Sequence, residues 1–156
     1  MSLENVRTYF KERNIDKEIM VFDSSSATVV EAAETLGVEP KRIAKTLSFR
    51  LGDSAILIVA AGDAKIDNKK FKGTFVEKPR MLSPEEVLDK TGHAVGGVCP
   101  FGLTHDLPVY LDESLKRFTT VFPACGSSNS AVELTCEELY IYGNAKEWVD
   151  VCKGWE

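Results

Sequence analysis

Apolar positions recur along the chain with the spacing of helices in some stretches and of strands in others. Leu3, Val6 and Phe10 lie three and four residues apart, which predicts an amphipathic helix over 2–13. A serine, a proline and two glutamates at 83–86 form a pattern typical of a capped helix start. The same criteria predict further helices at 28–36, 67–71, 83–90 and 135–142, and one helical turn after Pro40.

Short apolar runs bounded by turn residues predict the strands. Residues 55–61 form an apolar run without alternation, which indicates a strand buried on both faces, paired in a hairpin with a strand at 46–50. Six or more strands outside strict β-α-β alternation indicate an α+β fold, and without a linker residues 1–156 are expected to form one domain. Further strands are predicted at 19–22, 109–111, 118–122 and 132–134, and a final turn or helix at 144–156 through Trp148 and Val151.

Composition and charge exclude several classes of protein. No apolar run approaches the ~18–20 residues that span a membrane, and the N-terminus lacks a signal peptide, so a cytoplasmic location without membrane contact is expected. The formal net charge of −5 argues against a broad nucleic-acid-coating surface, and no DNA partner is expected. Six lysines and arginines at 65–80 form a basic stretch, which is either a solvated face or a secondary contact with phosphates.

Residues 96–102, Gly-Gly-Val-Cys-Pro-Phe-Gly, are incompatible with an ordinary helix or a central strand. Glycine reaches backbone angles closed to other residues and lets another molecule approach the main chain. Pro100 has no N–H group and favours an extended conformation at Cys99. The sequence therefore predicts a rigid loop with peptide groups open to a ligand, with a tight turn between two strands as the alternative.

Two further segments carry candidate chemistry. Lys45 lies at the start of a predicted strand, where its ammonium group either binds a phosphate as a point charge or is an ordinary surface lysine. A small polar loop beginning at Cys125 leads into the predicted strand at 132–134. In this order, the three segments resemble the YbaK/EbsC family, whose members are freestanding relatives of the editing domain of bacterial prolyl-tRNA synthetases.

The resemblance is most specific at the Lys45-Thr46 pair and at the Gly96-x-x-x-Pro100 loop. It implies a mixed, partly closed, barrel-like β-sheet with helices packed outside it. It also implies hydrolysis of wrongly charged aminoacyl-tRNA, with neither an enzyme nucleophile nor a cofactor. The implied catalytic residues are Lys45, Gly96 and Pro100, and the implied substrate-binding residues are Thr46, Gly97, Val98, Cys99, Phe101, Gly126, Ser127, Ser128 and Asn129.

The family resemblance leaves the substrate open. Cysteinyl-editing members commonly carry a Gly-Gly-Lys-Arg-Gly-Leu-Asp-type run before the last strand, whereas residues 126–131 of this chain contain no basic and no acidic residue. The expected substrate is therefore cysteine, alanine or another small amino acid, with tRNA(Pro) as the favoured carrier. The expected partner is the 3′ acceptor end of a mischarged tRNA, and prolyl-tRNA synthetase is a candidate partner.

Two other function classes compete with this hypothesis. One is a non-catalytic module of the same fold that holds tRNA ends or a synthetase. The other is a thiol enzyme built on Cys99 or Cys125, with His93 or His105 as the base that such a thiol requires. The four cysteines form no C-x-x-C pair and no zinc-finger spacing, so free thiols and no metal site are expected.

Overall fold

The computed structural model describes residues 2–156, which form α-helices, 3-10 segments and β-strands. The helices are α1 (Ser2–Glu12), α2 (Val29–Leu36), α3 (Asn68–Phe75), α4 (Pro84–Thr91) and α5 (Cys136–Tyr142), and two 3-10 segments lie at Pro40–Arg42 and Glu113–Arg117. The strands are β1 (Met20–Val21), β2 (Ile43–Leu51), β3 (Ser54–Ala61), β4 (Lys65–Ile66), β5 (Val109–Asp112), β6 (Thr120–Pro123), β7 (Ser130–Ala131), β8 (Leu134–Thr135), β9 (Glu147–Val149) and β10 (Cys152–Lys153).

Six strands form one mixed sheet in the order β8-β6-β2-β3-β5-β9. The hairpin of β2 and β3 is antiparallel, with Ala44 opposite Ala61 and Leu51 opposite Ser54. β6 pairs in parallel with β2, and β5 pairs in parallel with β3. The sheet curls into a half-barrel, which confirms the predicted α+β fold with a mixed, partly closed sheet.

β3 is the centre of the core. Every residue from Ala55 to Ala61 is buried, as the unbroken apolar run predicts. On the neighbouring strand, Phe49 packs against Phe71 of α3 with ring centroids 5.0 Å apart. A smaller apolar cluster, Ala32, Ala33, Ile43 and Phe122, joins α2 to β2 and β6.

Local sequence signals determine where three helices begin. Capping boxes are present at Thr28 with Glu31, at Ser83 with Glu86 and at Thr135 with Glu138, so each cap side chain and each glutamate satisfies a main-chain N–H group. Gly37 and Gly92 end α2 and α4 in the left-handed conformation. These helices therefore form close to the predicted positions.

Several predicted boundaries are wrong. β2 begins at Ile43 rather than at residue 46, because Ile43 pairs with Phe122 of β6. Of the predicted strand at 132–134, only Leu134 is in a strand: β7 ends at Ala131 and pairs with β1, β8 begins at Leu134 and pairs with β6, and residues 132–133 connect the two. The predicted strand at 118–122 begins at Thr120, because Phe118 still caps the preceding 3-10 segment. α3 continues to Phe75, whose ring packs on Phe71.

The tail at 144–156 forms β9 and β10, so the predicted final turn or helix is wrong. β9 pairs in parallel with β5 at the edge of the sheet, and β10 pairs antiparallel with β4. Val149 and Val151 are buried while Asp150 between them is exposed, which is the period of a strand. Pairing with strands that are distant in sequence outweighs the helical spacing of Trp148 and Val151.

Candidate functional site

A cavity of about 420 Å³ opens between the curled sheet, α2 and α4. Within residues 2–156, no Cys, His, Asp or Glu lines this cavity, so its polar groups are hydroxyls, one lysine and the main chain. A serine or threonine hydroxyl without a neighbouring base is a weak nucleophile. The apolar wall includes Val29, Ala32, Ile43, Leu47, Leu82, Val87 and Phe122.

Lys45 lies on β2, and its ammonium group reaches the turn that follows β3. Nζ donates to the carbonyl oxygen of Ala64, and to that of Gly62 at 3.5 Å. Burial lowers the pKa of Lys45, and the carboxylate of Asp63 offsets part of that decrease. A Cβ on Gly62 would lie 2.8 Å from Val29 Cγ1, so the turn that holds the ammonium group abuts the cavity wall.

Thr46 also lines the cavity, and its hydroxyl has no hydrogen-bond partner within the described chain. An unpaired buried hydroxyl costs about 1–3 kcal/mol, which a ligand that pairs with it would recover. Two other hydroxyls on the wall are engaged, since Thr28 accepts from Glu31 N and Ser130 accepts from the Ser127 hydroxyl. Unlike these two hydroxyls, that of Thr46 has no partner that a ligand would have to displace.

Gly96 and Val98 bring the main chain of the predicted loop to the cavity. Gly96 has a φ of +97°, and a Cβ there would lie 3.0 Å from Ala27 Cβ. The N–H group of Gly97 donates to the carbonyl of Ala94, whereas those of Gly96 and Val98 donate to no acceptor in residues 2–156. These two N–H groups are free to bind a ligand oxygen.

Residues 126–129 contact the 96–102 loop and do not line the cavity. Gly126 N donates to Gly97 O at 3.0 Å, and a Cβ on Gly97 would lie 2.7 Å from Ser127 N, so the two loops make main-chain contact. The rest of this segment hydrogen-bonds to residues 22–26 through Ser128 O and the Asn129 side chain. The contribution of Gly126, Ser127, Ser128 and Asn129 to substrate binding stays a prediction.

Cys99 and Phe101 lie in the core rather than on the cavity wall, and Pro100 is buried at the wall of a second cavity. Cys99 Sγ is 3.6 Å from His93 Nε2, and burial raises the pKa of Cys99 to about 12, so the thiol is uncharged at neutral pH. The ring of Phe101 packs edge-on against Phe10 with centroids 5.1 Å apart. A buried anchor of this kind fixes the loop, and the uncharged thiol does not favour a thiol enzyme.

We expect the folded protein to react with iodoacetamide first at Cys136. Burial raises the pKa of all four thiols, but Cys99, Cys125 and Cys152 are buried whereas Cys136 is partly exposed. Timed labelling followed by peptide mass spectrometry measures the order, and a urea-unfolded sample is the control in which all four cysteines react. Labelling of Cys99 as fast as Cys136 in the folded protein would contradict the burial described above.

Most of the cavity wall was not predicted from sequence. Its residues are single apolar side chains on α2, β2, α4 and β6, and no motif or spacing connects them. Met81 and Val95 at the cavity are 64% and 62% exposed, so they present apolar surface to the solvent. Exposed apolar residues in isolated positions are common in any sequence, and only their shared location gives them meaning.

The basic stretch at 65–80 lies on and around α3, outside the cavity. Phe71 anchors α3 in the core, and Lys70 Nζ donates to Asp150 Oδ1 and to Cys152 O, each at 3.0 Å. Lys70 therefore serves the contact between α3 and the tail, whereas contact of the other basic residues with phosphates stays a prediction.

Within residues 2–156, no three His, Cys, Asp or Glu side chains cluster closely enough to hold a metal ion. No helix in these residues has the length and apolar character needed to cross a membrane.

Comparison with known proteins identifies relatives of the whole cavity region. The family model of the aminoacyl-tRNA editing domain matches residues 23–140. The uncharacterized protein YwhH of Bacillus subtilis (strain 168) is 65% identical over 157 residues, which cover 100% of both chains. The Enterococcus faecalis protein EbsC, named for a proposed Cys-tRNA(Pro)/Cys-tRNA(Cys) deacylase activity, is 30% identical over 117 residues, or 73% of this chain and 71% of EbsC.

Solved structures show the same fold. One described as a proposed trans-editing enzyme for prolyl-tRNA synthetase is 31% identical, with a TM-score of 0.89 over 98% of both chains. In sequence, the chain also resembles the proline–tRNA ligase of Bacillus velezensis. The two are 30% identical over 57% of this chain, which corresponds to 16% of the ligase. The family match at 23–140 includes Lys45, the 96–102 loop and every residue that lines the cavity.

Proposed function

Because the chain belongs to the aminoacyl-tRNA editing domain family, we propose that it is a trans-editing hydrolase that removes a wrongly attached small amino acid from tRNA. The observation that carries the proposal is the cavity, where Lys45, the unpaired Thr46 hydroxyl and the free N–H groups of Gly96 and Val98 surround one space. An aminoacyl ester is already activated, so its hydrolysis needs placement, stabilisation of charge and access for a nucleophile.

In the proposed reaction, water adds to the ester carbonyl carbon and the bond from that carbon to the ribose oxygen breaks. The attacking water loses a proton, and the departing ribose oxygen gains one. The N–H groups of Gly96 and Val98 stabilise the negative charge that develops on the carbonyl oxygen. Since no Cys, His, Asp or Glu of the described chain lines the cavity, a ribose hydroxyl or the thiol of a cysteinyl substrate is the alternative first attacking group, and water then hydrolyses the migrated ester or the thioester that forms.

We assign the terminal phosphate of the tRNA to Lys45 and the terminal adenine to the exposed apolar surface of Met81 and Val95. In this assignment the ammonium group exchanges the carbonyls of Gly62 and Ala64 for a phosphate oxygen. The apolar wall and the unpaired Thr46 hydroxyl suit a small side chain such as that of alanine or cysteine. Pro100 acts in this scheme by anchoring the loop.

The relatives favour tRNA(Pro) as the carrier, because EbsC is named for Cys-tRNA(Pro) and the solved trans-editing relative for prolyl-tRNA synthetase. Prolyl-tRNA synthetase is accordingly a candidate partner that would supply the mischarged product. Aminoacyl-tRNA is made and used in the cytoplasm, so the proposed activity requires that location. The domain is proposed to act as one unit over residues 1–156.

An uncleavable substrate analogue tests where the acceptor end binds. Alanine joined by an amide to 3′-amino-3′-deoxyadenosine 5′-phosphate keeps the adenine, the phosphate and the small side chain. We expect its binding to shift the NMR signals of Thr46, Gly96 and Val98, while those of Thr104 and Asn144 in a second cavity stay unchanged. Shifts confined to the second cavity would contradict the site, and binding without hydrolysis of the ester would favour the non-catalytic module.

The substitution Thr46→Val is expected to separate ligand binding from folding. Removal of an unpaired buried hydroxyl should leave the free energy of unfolding unchanged or raise it by up to about 1 kcal/mol, while loss of a hydrogen bond to substrate lowers kcat/KM about tenfold. Urea unfolding and single-turnover deacylation measure the two effects. Thr119→Val, at an exposed position, is the matched control, and full activity in Thr46→Val would exclude this contact.

A further inference from the structure

The ammonium group of Lys45 is held by one short turn, residues 62–64 between β3 and β4. Its two acceptors, the carbonyls of Gly62 and Ala64, flank Asp63 in the chain. Where the ammonium group lies therefore depends on how firmly this turn is fixed. Lys45 is long and flexible, so a displaced turn would leave it without a defined position.

A two-pronged ion pair fixes the turn. The Asp63 carboxylate binds the Arg117 guanidinium through Oδ1–Nη2 at 2.6 Å and Oδ2–Nη1 at 3.0 Å, a geometry that is both strong and directional. The guanidinium lies between the rings of Phe118 and Trp155, with its central carbon 4.7 and 4.9 Å from the ring centroids. The side chain of Arg117 is 15% exposed and that of Asp63 is 30% exposed, so the pair is partly shielded from water.

The 3-10 segment Glu113–Arg117 holds the end of β3 at a second point. Ser114 Oγ accepts a hydrogen bond from Ala61 N at 3.1 Å, and Arg117 Nε donates to Ser114 O at 2.9 Å. The buried carboxylate of Asp112 in turn accepts from Ser114 N and from Val151 N of the tail. The turn is thus tied to a rigid element and to the C-terminal tail rather than left as a free loop.

We propose that Asp63 and Arg117 are positioning residues for Lys45, which hold the turn so that the ammonium group rests at the cavity wall, ready to bind a phosphate. The proposal rests on the proposed function of Lys45. Neither Asp63 nor Arg117 lines the cavity, so both act through the lysine rather than on the substrate.

The Asp63 carboxylate also affects the pKa of the Lys45 ammonium group. Burial lowers the pKa of Lys45, Asp63 opposes that change and Lys65 adds to it. Cys152 also faces the ammonium group, but burial raises its pKa to about 12, so at neutral pH it is an uncharged thiol and Asp63 supplies the negative charge. Burial raises the pKa of Asp63, but the hydrogen bonds and charge of Arg117 outweigh this and keep it below its ordinary value. Loss of the carboxylate should therefore cause Lys45 to lose its charge at a lower pH.

The substitution Asp63→Asn tests the proposal because it removes the charge and keeps the shape. With a mischarged acceptor-stem minihelix as substrate, we expect KM to rise about tenfold while kcat changes less than about twofold. The alkaline limb of the profile of kcat/KM against pH should move to lower pH.

Arg117→Lys keeps the charge but loses the two-pronged geometry, so it should raise KM by a smaller factor than Asp63→Asn does. Asp53→Asn, an exposed residue in the turn between β2 and β3, is the control with the same loss of charge.

A direct titration separates this proposal from the proposed function. Competitive acetylation of the full chain across a pH series, read by peptide mass spectrometry, reports the ionisation of Lys45 without any substrate. The expected result is a shift of the Lys45 titration to lower pH in Asp63→Asn and no shift in Asp53→Asn. An unchanged titration in Asp63→Asn would overturn the positioning role even if the protein is a deacylase.

A double substitution supplies the remaining test. If Asp63 acts through Lys45, adding Asp63→Asn to Lys45→Ala should cause no further loss of activity or of affinity for the uncleavable analogue. An equal fold-loss in the presence and absence of Lys45 would overturn the proposal and assign Asp63 a structural role alone. Failure of the wild-type protein to hydrolyse any mischarged tRNA would instead overturn the proposed function, and the titration of Lys45 would still decide the positioning role.

Discussion

Replacement of Lys45 by alanine is expected to lower kcat/KM for deacylation about 100-fold, mainly through a higher KM. Lys45 is the lysine on the cavity wall, and a hydrogen bond between a charged donor and a phosphate is among the stronger single contacts in a binding site. Single-turnover rates measured below and above saturation separate KM from kcat. Lys45→Arg should recover only part of the loss, because the planar guanidinium differs from an ammonium group in reach and shape.

Two controls accompany the lysine variants. Lys11→Ala removes the same charge from an exposed position on α1 and should keep wild-type activity. Because Lys45 also binds the carbonyls of Gly62 and Ala64, urea unfolding must show that the alanine variant is folded under assay conditions. Wild-type activity of folded Lys45→Ala at subsaturating substrate would rule out the phosphate-binding role.

The substitution Gly96→Ala is expected to reduce deacylation about 100-fold, the effect of losing one preorganised N–H donor to a developing oxyanion. Gly96 has a φ of +97°, which strains any residue with a Cβ, and that Cβ would lie 3.0 Å from Ala27. Relief of this contact requires movement of the loop that carries the free N–H groups of Gly96 and Val98. The loss should appear mainly in kcat, because the donors act on the transition state.

Gly52→Ala is the matched control for the loop variant. Gly52 also has a positive φ, +61°, but a Cβ there would meet nothing within 4 Å. Gly52→Ala should therefore share the backbone strain of Gly96→Ala and lose stability without losing activity. If both variants lost activity in proportion to their stability, a specific role for the loop in catalysis would be contradicted.

The elements that were predicted correctly are those with strong local signals. The capping boxes at 83–86 and 135–138 and the unbroken apolar run at 55–61 each determine structure within a few residues. The tail was predicted wrongly, since β9 and β10 exist through pairing with β5 and β4, which no local window contains. The prediction of one strand at 132–134 failed for the same reason, because the strands on either side of residues 132–133 pair with β1 and with β6.

Of the candidate site, the sequence predicts the residues that lie in local motifs but not those that folding brings together from distant positions. Lys45, Thr46, Gly96 and Val98 lie in motifs that the sequence displays, and all four line one cavity. The apolar wall and the ion pair of Asp63 with Arg117 join positions that only folding brings together. The family resemblance implies Cys99 and Phe101 as substrate-binding residues, and sequence does not tell which side chains of this loop turn into the core, as both of these do.

Single-turnover hydrolysis of tRNA(Pro) charged with alanine, cysteine or proline tests the central claim most directly. The amount of ester that remains is followed over time with wild-type protein, with Lys45→Ala and without protein. The account predicts that the alanyl or cysteinyl ester disappears much faster with the wild-type protein than without it, that prolyl-tRNA(Pro) is spared, and that at subsaturating concentrations Lys45→Ala removes most of the difference. Loss of all three esters at the protein-free rate would contradict the account.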